Sequence, residues 1–321
     1  MTVALVFSPQ GSQSVGMGRQ LAAVSPAAAA VFREADAALG WEVSRLAWEG
    51  PEDELNDTRH TQPCLLATSI ACLRALEEEL DGMGEGLSPS FVAGHSVGEY
   101  AALVAAGALS VDDALRLVAH RGELMADARV SGGMVAVIGL DREAVTAVVT
   151  SLGLDADLVV ANDNAPGQVV ISGTPNALLA ATEPLRAAGA RRSIPLKVSG
   201  PFHSPHMAGI GAELARALAT ADWHDAEPPV VSNVTAEPVR DAAEIRTLLA
   251  RQLHSPVEWV GSVRRMADEG VDTFVECGPG NALTGMVRRI VLEARTLNVF
   301  DPASLAAAAD ALAGAIVRVP A

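Results

Sequence analysis

The chain has 321 residues, half of them hydrophobic, with a formal net charge of −16 and a pI near 4.8. That length and apolar content exclude a disordered chain and leave room for one large domain or two. The acidity argues against nucleic acid, whose phosphates need a basic face. With no apolar run of the ~18 residues a span needs and no secretion signal in "MTVALVFSPQ", a soluble cytoplasmic protein without membrane contact is expected.

Residues 3–7 read as a first strand, followed by the loop "SPQGSQSVGMG" and helical stretches to about Leu80. Cys64 and Cys72 lie in those stretches. With Cys277 the cysteines are odd in number and none is spaced C-x-x-C, so all three read as packing residues, with neither a disulfide framework nor a zinc site. "DGMGEGLSPS" is a surface connection.

In "FVAGHSVGEYAAL", residues 91–93 read as a strand and Val97 onward, with Tyr100, Leu103, Val104 and Leu109, as a helix. Ser96 sits at the junction inside G-x-S-x-G. Such a junction is a nucleophile elbow: the glycines permit a turn tight enough to project the hydroxyl alone, and the helix start adds unpaired N–H groups, Val97 among them. The same pattern also fits a buried Gly-Ser turn that merely closes a strand.

A helix follows from Ser110, where "SVDDALRLVAHRGELM" has an S-x-x-D start signal and helical apolar spacing. The alternation so far predicts a parallel sheet. From about 133 to 198 the order becomes strand "MVAVIG", helix "REAVTAVVTSL", strands "DLVVAN" and "QVVISG", helix "NALLAATEPLRAAG", strand "RSIPLKV". This β-α-β-β-α-β order is the split ferredoxin-like unit. The reading is an insert at 131–198 within a larger α/β domain made of 1–130 and 199–321. The alternation then resumes: a helix near 209–220, strand "PVVSNV", helices between 244 and 269, strand "DTFVEC", a helix, strand "TLNVF" and an alanine-rich helix.

A serine needs a base to become a nucleophile. Of seven histidines, His203 in "KVSGPFHSPHM" follows a Gly-Pro turn where the chain re-enters the large domain, and a boundary between domains is a usual place for a cleft. A partly exposed loop histidine fits the same residues. His206 lacks a third ligand at sensible spacing for a metal site and reads as helix surface.

Taken together, "GHSVGEYAAL", "HRGELM", "GPFHS", "NDNAPGQVVISG" and "ECGPGNALTGM" resemble the malonyl-CoA:acyl-carrier-protein transacylase family over nearly the whole chain. The resemblance implies an α/β-hydrolase-like large domain, a ferredoxin-like small domain, and an active site between them. It implies that Ser96 takes an acyl group from a coenzyme A thioester and passes it to the phosphopantetheine thiol of an acyl carrier protein, with His203 as general base and acid. Gln10 and Val97 would supply the oxyanion donors, each typically worth ~3 kcal/mol. The imidazole would be oriented by a backbone carbonyl in "RQLHSPVEW", at Gln252, which is grouped with the substrate-binding residues.

Arg121 alone reads as an exposed i,i+4 partner on its helix; the resemblance makes it the bidentate clamp for the free carboxylate of malonate, a fit that a lysine lacks. Phe202 would fill the space beside the acyl α carbon, favouring malonyl over methylmalonyl. Asn162 and Asn164 match cleft-lining positions, or are hairpin turn residues. Carrier proteins are acidic, so docking on this acidic chain calls for a local basic surface, for which Arg191 with Arg192 and Arg288 with Arg289 are candidates. No metal or bound cofactor is expected, coenzyme A entering as substrate, and a monomer is expected. Where the family usually reads Phe-Pro-Gly-Gln-Gly, this chain reads Phe7-Ser8-Pro9-Gln10-Gly11, so a residue with fixed φ and no N–H precedes the oxyanion residue. The alternatives are a discrete polyketide-synthase acyltransferase with another extender or carrier, an acyl-thioester hydrolase, and a carrier-binding scaffold with a dead site.

Overall fold

The computed structural model describes residues 1–128 and 130–313; residues 314–321, the end of the expected large-domain range, lie outside them. The strands, in chain order, are β1 Val3–Phe7, β2 Phe91–Gly94, β3 Gly133–Ile138, β4 Leu158–Ala165, β5 Gln168–Gly173, β6 Arg192–Pro195, β7 Val230–Val231, β8 Pro238–Val239, β9 Thr273–Cys277 and β10 Arg295–Val299. They form two sheets, ordered β10-β9-β1-β2-β7-β8 and β4-β5-β3-β6.

The larger sheet is parallel except for β8, which runs antiparallel to β7. Parallel strands are covered on both faces, and their side chains alternate between them. Leu5 and Phe7 of β1 accordingly join the core around the helix Thr58–Gly82, while Ala4 and Val6 pack with Trp259, Val263, Phe274 and Leu283 on the other face. The smaller sheet is antiparallel throughout. The helices Arg142–Ser151 and Pro175–Ala187 bury Val145, Val149, Ala181 and Leu185 in its own core. Ser110 caps the helix Val111–Ala126 by accepting from Asp113 N at 3.0 Å.

Some expected elements differ in extent. The helix after the elbow, Gly98–Ala105, stops short of Leu109. "PVVSNV" pairs only over β7, because the chain turns back at Ser232, whose N–H donates to Glu237 O at 3.0 Å and whose oxygen accepts from Ala236 N at 2.9 Å, leading into β8. The helices expected between 244 and 269 are Ala242–Gln252 and Trp259–Asp268, parted by an extended segment in which Pro256 disfavours helix at the residue before it. The break serves a contact: Val257 N donates to Ala161 O at 2.8 Å and Val257 O accepts from Asp163 N at 3.0 Å. That bridge, Asn162 to Val257, ties β4 to the segment between the two helices, while pairing with β5 carries β4 on to Ala165, with register shifts on either side of Asn162 and Asp163. Among the described residues no helix is long and apolar enough to cross a membrane.

Candidate active site

Ser96 lies between β2 and the helix Gly98–Ala105 with φ 53°, a left-handed conformation that costs a non-glycine residue about 1–3 kcal/mol. Its neighbours show why the flanking residues are glycines. A Cβ on Gly94 would stand 1.9 Å from Gly98 O, and one on Gly98 would stand 2.2 Å from Phe7 O. The turn is pinned by buried Asn233, whose Oδ1 accepts from Ser96 N at 2.7 Å and whose Nδ2 donates to Gly94 O at 2.6 Å.

His203, also left-handed at φ 56°, lies in the segment that follows β6, the last strand of the smaller sheet. Its Nε2 is 2.9 Å from Ser96 Oγ and its Nδ1 is 2.9 Å from the backbone oxygen of Gln252. A carbonyl can only accept, so Nδ1 carries the proton and Nε2 offers its lone pair to the serine hydroxyl. Burial, reinforced by the Arg121 charge and opposed by the Gln252 carbonyl, pushes the imidazole pKa down to about 3. It is therefore a neutral acceptor at physiological pH.

Arg121 is 1% exposed, which overturns its reading as a surface helix partner. Nη1 donates to Gln62 Oε1 at 2.6 Å, and Nη2 donates to both Ser96 Oγ and Gln252 Oε1 at 3.0 Å. The guanidinium lies 5.8 Å from the Tyr100 ring centroid, and burial lowers its pKa against the opposing charges of Tyr100 and Glu99. Gln252 is the hub. Its Nε2 donates to Ser96 O at 3.0 Å and to Glu99 Oε2 at 2.5 Å. Its side chain is thus spent inside the protein, and it acts on the site by holding its neighbours. Burial raises the Glu99 carboxyl to about 7, against its hydrogen bonds from Gln252 and Asn233.

A cavity of about 160 Å³ opens over Ser96 and His203. Gln10, His95, Asn162 and Asn164 form its polar side; Pro9, Met125, Met134, Phe202 and Met286 are among its apolar wall. Asn162 and Asn164 belong to β4 and are buried, so they are not hairpin turn residues. Asn164 Oδ1 meets His95 Nε2 at 2.8 Å. Among the described residues, neither Gln10 N–H nor Val97 N–H has an acceptor. Arg121 does not line the cavity and reaches it only through Nη2 at Ser96 Oγ.

The outlying arginines are exposed and differ from one another. Arg288 Nε donates to Thr296 Oγ1 at 2.8 Å, whereas Arg289 donates to Gln168 Oε1 at 2.7 Å and to Pro166 O. Arg289 therefore ties the helix Ala282–Ile290 to the β4–β5 turn. Arg191 lays its stem over Gly139, and Arg192 begins β6. Sequence reasoning missed Gln62, His95, Glu99 and Asn233. Gln62 carried a local signal, a polar residue at the head of the apolar run "PCLLA", and His95 and Glu99 stood inside the motif "GHSVGEYAAL". Among the described residues no three His, Cys, Asp or Glu side chains converge as a metal site.

The sequence profile of the acyl transferase domain matches residues 4–308. The malonyl CoA-acyl carrier protein transacylase of Bacillus subtilis is 44% identical over 313 residues, covering 97% of each chain. That of Escherichia coli K12 is 42% identical, covering 96% of this chain and 98% of the other. The crystal structure of an acyl-carrier-protein S-malonyltransferase from Burkholderia pseudomallei superposes with a TM-score of 0.91 at 43% identity, over 97% of this chain and all of that one. A malonyl-transacylase solved in complex with its type II PKS acyl-carrier protein gives 0.92 at 40% identity, over 97% and 100%. With the fold, the elbow and these likenesses in agreement over nearly its whole length, the chain belongs to the acyl transferase domain family.

Proposed function

We propose that this protein moves a malonyl group from coenzyme A to the phosphopantetheine thiol of an acyl carrier protein of fatty-acid or polyketide synthesis, by two half-reactions through Ser96. In the first, the Ser96 proton passes to His203 Nε2 as Oγ attacks the thioester carbonyl. The oxyanion forms against the N–H groups of Val97 and Gln10. Collapse breaks the C–S bond, and the departing thiolate takes the proton from His203. In the second, the carrier thiol gives its proton to His203, attacks the malonyl ester, and Ser96 leaves reprotonated. Arg121 pairs with the malonate carboxylate; Phe202 crowds the α carbon; Asn162 and Asn164 contact the pantetheine-bearing donor in the cleft.

The observation that carries this reading is one oxygen with two partners. Ser96 Oγ has the lone pair of His203 Nε2 at 2.9 Å and the Arg121 Nη2 donor at 3.0 Å, so the clamp for a carboxylate adjoins the nucleophile. The strand orders support taking the larger sheet as α/β-hydrolase-like, formed by 1–130 and 199–321, and the smaller, 131–198, as a ferredoxin-like insert. The enzyme works as a cytoplasmic monomer, without metal or bound cofactor. The test is to mix the protein with malonyl-CoA and a phosphopantetheinylated carrier and to weigh the carrier: malonyl-carrier is expected, whereas malonate released with the carrier unmodified would make the protein a hydrolase.

A further inference from the structure

The loop after β1 contains a buried tether that the reaction above leaves unused. Ser8 is 1% exposed and its Oγ donates to Glu276 Oε1 at 3.1 Å. Glu276 is wholly buried on β9, in register with Val6. Its two oxygens also accept from Leu283 N at 3.1 Å, Thr284 N at 2.7 Å and Thr284 Oγ1 at 2.8 Å. One carboxylate thus joins the start of the loop to the first turn of the helix Ala282–Ile290, the helix that carries Met286 into the cavity wall.

The rest of the loop is equally confined. Phe7 O and Ser8 O lie against Gly98, where a Cβ would stand 2.2 and 3.0 Å from them. Pro9 fixes its own φ and its oxygen accepts from Ser12 N at 3.3 Å, closing a turn with Gly11 at φ 100°. Gln10 sits inside that turn, its side chain held by Thr58 Oγ1 at 3.2 Å. The hydroxyl tether and the stiff residue come together in this chain, at the two places where the resembled motif has Pro and Gly.

We propose that Ser8 and Glu276 are positioning residues for the oxyanion site: their hydrogen bond fixes the loop so that Gln10 N–H meets the developing charge. The inference rests on the malonyl-transfer reading. Oxyanion donors work because they are aimed before charge develops, and a displacement of ~1 Å at a reacting centre can cost ~100-fold. Ser8→Ala is a mild perturbation, because Glu276 keeps three other donors. Single-turnover rates of acylation by malonyl-CoA and of transfer to the carrier, with KM and thermal midpoint, decide the matter. Both rates should fall about tenfold in Ser8→Ala, with KM for malonyl-CoA unchanged and the midpoint near wild type. Pro9→Gly, which loosens the same loop without touching the tether, should show the same split. Unchanged rates in Ser8→Ala, or losses that appear in KM instead, overturn the inference. A wild-type protein that forms no malonyl adduct would instead defeat the reading on which it rests.

Discussion

Replacing Arg121 with alanine separates a carboxylate clamp from a structural arginine. The side chain is buried and divides its donors among Gln62, Gln252 and Ser96 Oγ. Without it, a bound malonyl group leaves its charge unpaired in a confined site, a loss commonly worth ~2–5 kcal/mol, or roughly 30- to several-thousand-fold in kcat/KM at about 1.4 kcal/mol per tenfold. An acetyl group has no carboxylate and loses only the effect of the Nη2 contact on Ser96 Oγ, ~1.5–3 kcal/mol at most for a charged hydrogen bond. Gln62 and Gln252 also lose a donor, so the variant should melt earlier. The readout is therefore the ratio of malonyl to acetyl acylation rates in one preparation, from which the folded fraction cancels. That ratio should fall at least about tenfold, and Arg121→Lys, which keeps the charge without the planar fork, should fall between wild type and alanine. Equal losses for the two donors would refute the clamp.

His203→Ala should slow acylation and carrier transfer alike, since one base serves both; stopped-flow rates for each half-reaction check it. The imidazole is held at about 3 when folded against ~6.5 unfolded, so between those values the unfolded chain binds more protons. Its contribution to stability is complete above about 6.5 and is lost as pH falls toward 3. Glu99, raised to about 7, works oppositely, its contribution being lost as pH rises toward 7. Urea midpoints of wild type minus His203→Ala across pH 4 to 7 isolate the histidine. Phe202→Ser should relax the preference for malonyl over methylmalonyl by no more than the ~1–3 kcal/mol a methyl-sized pocket can give, read as a competition ratio between the two thioesters. Arg288→Ala with Arg289→Ala should leave acylation by malonyl-CoA nearly unchanged and weaken carrier transfer, with a shallower salt dependence, measured from 50 to 200 mM salt.

Much of the fold was legible because its signals are local. β1, β5 and β9 are apolar runs closed by turn residues, and the helix Val111–Ala126 announces its own cap at Ser110. Pro256 parts the two helices Ala242–Gln252 and Trp259–Asp268, yet the partner of the extended segment, Asn162, lies in a strand far away in sequence. The site divides in the same way. Ser96 stands in a recognisable turn, but nothing local ties it to His203, 107 residues on, or to Asn233, 137 residues on. Helical spacing could not say that Arg121 faces Gln62 and Ser96 instead of water, because periodicity records which side a residue is on and not what covers that side. The motif resemblance supplied those long-range pairings for His203, Arg121 and Gln252. It supplied nothing for Ser8, where this chain departs from the motif and makes a contact of its own.

The central claim is a malonyl ester on Ser96. Intact-protein and peptide mass spectrometry after brief exposure to malonyl-CoA, with acid quenching, tests it directly. The wild-type protein should gain one malonyl group, located on the peptide bearing Ser96 and discharged on adding a phosphopantetheinylated carrier, and Ser96→Ala should gain none. A malonyl adduct that persists in folded Ser96→Ala, or one that maps to another residue, would contradict the account.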